Sequence, residues 1–511
     1  MAHPLTERRK LLIFAVMAFG QFMALLDVQI VAASLNTIQA GLAAGPDEIA
    51  WVQTAYLMAE IVMIPLSGFL SQALSTRWLF TASAALFTIF SLMCGLAWDM
   101  PSMIAFRTIQ GFVGGAMVPT VFAAGFAMFQ GKRQAMIPLV LGLVSTLAPA
   151  LGPTIGGWVS DTWSWRWLFF MNIVPGIGIT LALPLLGAID GAQPSMHKRI
   201  DWLHVASLAL FLGALQYVLE EGPRWQWFDD SGICLAAWLS AIGGIVFLER
   251  SFYSTMPVIR LTSFRRPTFV MACLFNLVIG FGIYSSTYLM PVFLARVRDY
   301  SSFEIGTTVF VTGACMGLGA PLSAFLSNRL DPRLVIAPGL VLFAIGLGML
   351  RVITPDWGFG ELLLPQAARG FAVLLCIVPT VNLALRGLAG PDLRYGSGLF
   401  NLMRNLGGAI GIAVVDTRLR DGAQWHGLRL AEALGQAPVA AGHAAAVLAT
   451  RMANLTPDPA RATTMAQSIL ARIVGQNALT QSFQDIFTWM ALLFLAALAI
   501  VPFCRPLPPD R

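Results

Sequence analysis

Ionisable side chains inside long apolar segments are the residues of this sequence that could do chemistry. Asp27 lies deep in the first apolar segment, Glu60 lies midway through the second, and Arg107 lies in the fourth. A charge at the centre of a lipid bilayer costs about 2.5 to 3.5 kcal/mol on insertion scales, so such residues mark functional sites by default. The expected chemistry is therefore the movement of charge within a membrane.

The two carboxyl groups could carry a proton. An apolar environment favours the protonated carboxyl group, whereas a neighbouring arginine favours the carboxylate. A carboxyl group whose neighbours change can thus bind a proton on one side of a membrane and release it on the other. We hypothesise that Asp27 and Glu60 form a protonation site and that Arg107 is the balancing charge. The alternative is a static ion pair of Asp27 with Arg107 that holds two helices together.

Polar side chains also recur at helical spacing on one face of several apolar segments, which indicates a cavity between helices. Gln53, Tyr56 and Glu60 share such a face in the second segment. Interleaved with Met and Phe, these faces suit an amphiphilic or aromatic ligand, although interhelical hydrogen bonds explain any single member equally well. The predicted substrate-cavity residues are Gln53, Tyr56, Gln110, Asn276, Tyr284, Tyr288, Asn401 and Arg404.

Other kinds of chemistry find no support in the sequence. The six Cys are isolated from one another and the five His lack metal-ligand spacing. The glycine-rich motifs that bind ATP or a dinucleotide do not occur either. The basic balance of the chain comes mainly from scattered arginines, which cannot follow a nucleic-acid backbone. We therefore expect neither an enzyme nor a nucleic-acid-binding protein, and no metal or cofactor.

The elements that must position these residues are membrane-spanning helices. The chain has 511 residues, of which 57% are hydrophobic and 11% charged, against about 25% charged in soluble proteins. At about 20 residues a span, the apolar runs predict fourteen spans, in which the first covers Leu11 to Ser34, the thirteenth Ser397 to Thr417 and the last Phe487 to Phe503. Basic residues gather at the connections on the side of the termini, which predicts that both termini are cytoplasmic. We expect the chain to lie in the inner (cytoplasmic) membrane.

Three sequence matches indicate an internal repeat with an offset near 256 residues. The segments 68–77, 110–121 and 151–161 recur in the same order as 324–333, 369–381 and 406–416. The repeat predicts two related six-helix halves with two helices inserted between them. We place the N-terminal half at 1–187, the linker segments and inserted pair at 188–267, and the C-terminal half at 268–511, including an extracytoplasmic loop at 418–485. Parallel repeats are typical of transporters that open a central site alternately to each side.

Several of these segments resemble the major facilitator superfamily, and within it the fourteen-helix drug:proton antiporters that include the EmrB-type multidrug exporters. The segment 22–38 is similar to the first-helix motif, whose acid is Asp27, and 104–115 resembles the R-x-x-Q-G motif of the fourth helix. The antiporter signature G-P-x-x-G-G of the fifth helix is matched by Gly152, Pro153, Gly156 and Gly157.

This resemblance implies an all-α polytopic membrane protein with the major facilitator fold, two six-helix bundles and two inserted helices. It further implies a proton-driven antiporter that exports hydrophobic or amphiphilic compounds, with a periplasmic adaptor and an outer-membrane channel as partners. The loop 418–485 is the expected contact. One motif departs from the family pattern, because Gln72 replaces the acid of the gate motif between the second and third helices. The gate's charge lock is therefore in doubt.

Two other functions remain compatible with these features. A dedicated exporter of one endogenous metabolite or lipid would carry the same motifs. The degenerate gate motif also leaves open a membrane scaffold or receptor that has a transporter fold but transports nothing. Such a protein would be expected to lose its intramembrane charges, whereas Asp27, Glu60 and Arg107 are all present.

Overall fold

The structure, a computed structural model, describes residues 6–45, 48–193, 200–254, 257–386, 388–436, 438–453 and 458–503. These residues form helices and connections, without a β-strand among them. The first nine helices are α1 (Glu7–Ala33), α2 (Leu35–Leu42), α3 (Trp51–Leu74), α4 (Thr76–Gly95), α5 (Met100–Gly114), α6 (Met117–Met128), α7 (Met136–Thr162), α8 (Trp167–Phe170) and α9 (Ile173–Leu186). The remaining nine are α10 (Trp202–Glu221), α11 (Ser231–Tyr253), α12 (Pro267–Arg296), α13 (Ser302–Arg329), α14 (Pro332–Met349), α15 (Phe359–Leu385), α16 (Gly390–Gln436), α17 (Pro438–Ala453) and α18 (Pro459–Ala497).

The number of membrane spans agrees with the prediction. Within the described residues, 13 helical segments are long and apolar enough to cross a membrane, and the bent α7 makes a fourteenth. α7 bends by 41° between Pro149 and Leu151, because a proline inside a helix removes a backbone donor and crowds the preceding turn. The all-α polytopic fold class is confirmed.

Polar residues fix where many of the spans begin. The Asp99 carboxylate accepts a hydrogen bond from the Ser102 amide at 2.9 Å at the start of α5, and Asp230 accepts one from the Ile233 amide at 3.0 Å at the start of α11. Ser301 caps α13 in the same way. Such caps satisfy amide groups that the first helical turn leaves without partners. Several acids in the short connections are therefore helix caps.

The spans pack as two sets that meet along a few helices. α1 packs against α7 and α9, and α3 against α5, while α12 packs against α16 and α15 against α13 and α14. The two sets touch where α7 contacts α13 and α15, and where α3 and α6 contact α16. α10 and α11 form the predicted inserted pair, and α10 packs against both α3 and α16. The boundaries at 187 and 267 stay predictions, and residues 194–199 of the linker lie outside the described part.

The segment 418–485 differs from the loop that the sequence suggested. α16 continues to Gln436, past the predicted end of its span at Thr417, and α18 begins at Pro459 rather than near Phe487. The described part of this segment is thus mostly helical. The prediction ended each span where charged residues begin, but the alanine-rich sequence beyond keeps a high helix propensity.

Candidate functional site

Asp27 and Arg107 form an ion pair in the interior of the first set of helices. Nη1 of Arg107 lies 2.6 Å from Oδ2 of Asp27, and both side chains are fully buried. Arg107 also donates from Nε to the Val52 carbonyl at 3.2 Å and from Nη1 to Gln110 Oε1 at 2.9 Å. Its guanidinium group lies 4.2 Å from the centre of the Tyr56 ring. The pair therefore joins α1, α3 and α5, with a cation–π contact in addition to hydrogen bonds.

Asn172 completes this network, although the sequence did not single it out. Its Nδ2 donates to Asp27 Oδ1 at 2.7 Å and to Ser91 Oγ at 3.1 Å. Asn172 immediately precedes α9 and is buried. The feature of the sequence that could have identified Asn172 is an amide side chain within an aromatic segment. With this amide, four helices and the start of a fifth surround one carboxylate.

Glu60 lies apart from this pair. Its side chain lines a cavity between the two sets of helices, and no described residue forms a hydrogen bond or ion pair with Glu60. The cavity is bounded by α1, α3, α7, α10, α12 and α16. Its polar lining consists of Gln29, Glu60, Ser145, Gln216, Glu220, Tyr284 and Asn405. The two predicted proton carriers are thus placed in different surroundings, one paired and one facing open space.

One of the eight predicted substrate-cavity residues lines this cavity. Tyr284 lines it, and the hydroxyl group of Tyr284 donates to Asn405 Oδ1 at 3.3 Å. Gln110 and Tyr56 belong instead to the buried ion-pair network. The side-chain oxygen of Gln53 is buried and has no hydrogen-bonding partner among the described residues. Helical periodicity therefore placed Gln53, Tyr56 and Glu60 on one face of α3, but of these three only Glu60 lines the cavity.

The remaining four predicted cavity residues bind neighbouring groups rather than line this cavity. The side-chain amide of Asn276 donates to a backbone carbonyl of α16 at 2.6 Å. Tyr288 donates to Asp416 at 2.6 Å. Arg404 donates from Nη2 to Asn401 Oδ1 at 2.9 Å, while its Nε is buried without a partner in the described residues. Interhelical bonding, the alternative reading of these polar faces, thus describes Asn276 and Tyr288.

The glycine-proline signature lies where α7 crosses α1. A Cβ atom at Gly152 would lie 2.4 Å from Cβ of Gln29, and one at Gly156 would lie 2.9 Å from the Ile30 carbonyl oxygen. Gly157 is also buried, and Pro153 lies inside the helix beside the bend. The signature therefore allows two backbones to approach closely on one wall of the cavity.

A charged contact joins the two sets of helices at the degenerate gate motif. Asp190, which follows α9, accepts hydrogen bonds from the amide and hydroxyl groups of Thr76. Arg394, in the first turn of α16, donates from Nη2 to Asp190 Oδ2 at 2.6 Å. The side chain of Gln72, which replaces the acid of the motif, donates from Nε2 to the Gly68 carbonyl of its own helix. Asp190 thus supplies a carboxylate that the motif has lost.

Comparisons with known proteins add to this geometry. Residues 17–412 match the family model described as Major Facilitator Superfamily. The chain is 37% identical to the colistin resistance protein EmrB of Acinetobacter baumannii, over 96% of this chain and 95% of that protein. It is 28% identical to the fatty acid resistance protein FarB of Neisseria gonorrhoeae over 80% and 81% of the two chains. It is 26% identical to the multidrug export protein EmrB of Escherichia coli over 98% and 97%.

Solved structures share the same fold. The human organic anion transporter MFSD10 (TETRAN) superposes with a TM-score of 0.58 and 14% identity, over 97% of this chain and 99% of that one. A bacterial homologue of the human lysosomal transporter Spinster gives a TM-score of 0.55 at 14% identity, over 99% and 100% of the two chains. At this identity the likeness concerns the fold alone. Together with the curated relatives, it confirms the resemblance that the motifs indicated.

Proposed function

The chain belongs to the Major Facilitator Superfamily, and on that premise we propose that it is a proton-coupled antiporter that exports hydrophobic or amphiphilic compounds. Membership makes the protein a multi-pass membrane transporter and not an enzyme. The observation that carries the proposal is the carboxyl group of Glu60, which faces the central cavity without a bonding partner among the described residues. We propose that a proton and a substrate both bind in this cavity.

Proton exchange at Glu60 would couple to alternating access. The carboxylate of Glu60 is attracted electrostatically by the guanidinium groups of Arg107 and Arg404, one from each set of helices. Protonation removes the attraction between Glu60 and both arginines, so it changes the balance between conformations that hold the two sets at different separations. A transporter of this architecture opens its midplane site to one side at a time. The proton gradient would supply the energy, without a bound cofactor.

Asp27 and Arg107 would support this exchange rather than face the substrate. Each oxygen of Asp27 already accepts a hydrogen bond, from Arg107, Gln110 or Asn172. A proton that reached Asp27 would have to displace Arg107, which would loosen the contacts of α1 with α5. We propose that this release happens within the transport cycle, with Arg107 as the balancing charge.

Transport by purified protein in proteoliposomes tests the proposal. An imposed pH gradient should drive the movement of several compounds from a panel of dyes, bile salts and fatty acids. Glu60→Gln should abolish gradient-dependent movement, and Asp27→Asn should reduce it strongly. Glu249→Gln on the exposed face of α11 is the matched control and should leave transport unchanged. Unchanged coupling in both Glu60→Gln and Asp27→Asn would contradict the proposal.

A dedicated exporter of one metabolite or lipid is the second candidate. The observation that favours it is the variety among the relatives, one named for colistin resistance, one for fatty acid resistance and one for multidrug export. The same panel separates the two functions. Movement of a single chemical class would support the dedicated exporter, whereas movement of unrelated classes supports multidrug export. No movement of any compound would support the scaffold.

We also propose that the protein lies in the inner (cytoplasmic) membrane with both termini in the cytoplasm, and that a periplasmic adaptor and an outer-membrane channel are its partners. The helical segment 418–485 is the candidate contact, since Trp425 and Leu428 expose large apolar side chains on it. A photo-crosslinking residue at Trp425 should capture the adaptor in cells. The same residue at Phe252, an exposed position on α11, is the control and should not.

A further inference from the structure

The inserted helix α10 contributes to the central cavity, which the sequence did not suggest. Its last turns place Gln216 and Glu220, four residues apart and therefore on one helical face, among the residues that line the cavity. α10 packs against both α3 and α16, so it closes the cavity at the place where the two sets of helices meet.

Glu220 differs from the neighbouring acids in having no compensating cation. Glu60 lies within the electrostatic influence of two arginines, as described above. Glu221 accepts a hydrogen bond from Thr54 at 3.0 Å and lies 3.9 Å from Arg224. Glu220 accepts one from the Gln216 side-chain amide at 3.0 Å, and no described Arg, Lys or His lies within ion-pair distance of it. Among the described residues, no cation thus compensates a negative charge on Glu220 at the cavity wall.

Gln216 adds an independent sign that a ligand belongs here. Its side chain is only 4% exposed, its Nε2 is used by Glu220, and its Oε1 is buried without a hydrogen-bonding partner among the described residues. A buried acceptor without a donor is costly, on the order of 1 to 3 kcal/mol. When Glu220 is ionised, the two side chains present only acceptor oxygens to the cavity, and these suit a ligand that donates hydrogen bonds.

The rest of the cavity wall suits an apolar tail. Leu25 from α1, Leu57 and Ile61 from α3, and Ile412 from α16 line the space beside Glu220. Contact with such side chains stabilises a bound alkyl or aromatic group by about 25 cal/mol for each Å² of apolar surface removed from water. The cavity thus combines an anionic, acceptor-only corner with apolar walls.

From these observations we propose that Gln216 and Glu220 form the head-group site for a cationic amphiphile, such as a primary alkylammonium compound. The ammonium group would donate to Glu220 and to the free oxygen of Gln216, while its chain lies along the apolar walls. The inserted helix pair would then determine which compounds the transporter accepts. This inference rests on the proposed function, because it names the substrate class of the same cavity.

Equilibrium binding to purified protein in lipid nanodiscs tests the site without a proton gradient. The probes are radiolabelled dodecylammonium and dodecanoate, which share a chain length and differ in charge, with empty nanodiscs as the background. Glu220→Gln should weaken dodecylammonium binding by about tenfold or more and leave dodecanoate binding unchanged. Glu220→Asp should recover part of the loss. Glu221→Gln changes the adjacent carboxylate, which has Thr54 and Arg224 as partners, and should weaken dodecylammonium binding less than Glu220→Gln does.

Each outcome bears on one claim. Equal effects of Glu220→Gln and Glu221→Gln on dodecylammonium, or stronger wild-type binding of dodecanoate, would overturn the head-group site. Binding of neither probe by wild-type protein would overturn it as well. If Glu220→Gln loses binding selectively but wild-type proteoliposomes move no compound, the proposed function fails while the site stands. If transport is intact and binding shows no charge preference, only the site fails.

Discussion

The buried Asp27–Arg107 pair has different consequences for stability and for transport. Removing one partner leaves the other charge in an apolar interior, so Arg107→Ala should lower the free energy of unfolding by about 3 to 5 kcal/mol. Replacing both partners in Asp27→Leu with Arg107→Met should restore most of that stability, because no unpaired charge remains. Unfolding of each variant in mixed micelles of a denaturing and a mild detergent measures both effects.

Transport by the double variant distinguishes the two roles of the pair. If the pair only holds helices together, the double variant should transport normally once its stability is restored. We expect it to have lost proton-driven transport while still binding substrate, since it can neither exchange a proton at Asp27 nor supply a balancing charge at Arg107. Normal coupling in the double variant would establish a static pair.

The cost of a buried charge explains which site residues could be predicted from the sequence. Asp27 and Arg107 stand out because a charge within an apolar run needs a reason. Asn172 does not, since a neutral amide at the end of an aromatic segment is compatible with many roles. Glu220 was not among the predicted cavity residues, and its place at the end of an apolar run, before another acid, does not mark it as one. The position of Glu220 at the cavity depends on how α10 packs against other helices, and hydropathy does not predict that packing.

At the scale of helices, α1 and α7 cross closely because Gly152 has no side chain. A Cβ at Gly152 would overlap Cβ of Gln29, so Gly152→Ala should lower the free energy of unfolding by about 1 to 3 kcal/mol, as overpacking does. Gly178→Ala is the matched control, because a Cβ there meets no atom within 4 Å and alanine favours helix. Thermal unfolding in detergent should separate the variants. Equal melting temperatures would contradict close packing at this crossing.

The contact of Asp190 with Arg394 should hold one end of the two helix sets together. The pair is mostly buried, so we expect its loss to cost about 1 kcal/mol, which shifts an opening equilibrium by about fivefold. Arg394→Gln should therefore raise the thiol-labelling rate of a cysteine at Ser397, a buried residue on the same helix. The exchanged pair Asp190→Arg with Arg394→Asp should return the rate toward wild type. An unchanged rate in Arg394→Gln would exclude this lock.

Helix positions were predictable to within a few residues where the helix ends at the same residues as the apolar run that crosses the lipid. The first span was predicted at Leu11 to Ser34, and its helix is found at Glu7–Ala33. The rule fails for α16 and α18, since helix propensity continues after hydropathy stops. An apolar run defines the length of a span in lipid, but it does not define the length of the helix that contains it.

At the scale of the whole molecule, the internal repeat predicted the architecture, but it did not predict the residues of the site. Three short matches at one offset were enough to indicate two halves and an inserted pair. They could not reveal that α10 closes the cavity or that Asp190 replaces the acid lost at Gln72. Both features depend on contacts between segments that lie far apart in the sequence. Such contacts leave no pattern in the local sequence of either segment.

Alternating access requires the two helix sets to separate at the end where Asp190 meets Arg394. A reversible cross-link there should therefore stop transport completely, whatever the substrate. In the variant Asp190→Cys with Arg394→Cys, a short bis-methanethiosulfonate linker should abolish gradient-driven efflux from proteoliposomes, and reduction should restore it. The two single variants, treated in the same way, should keep their activity and so account for the native cysteines. Transport by the fully cross-linked protein would show that this end need not open.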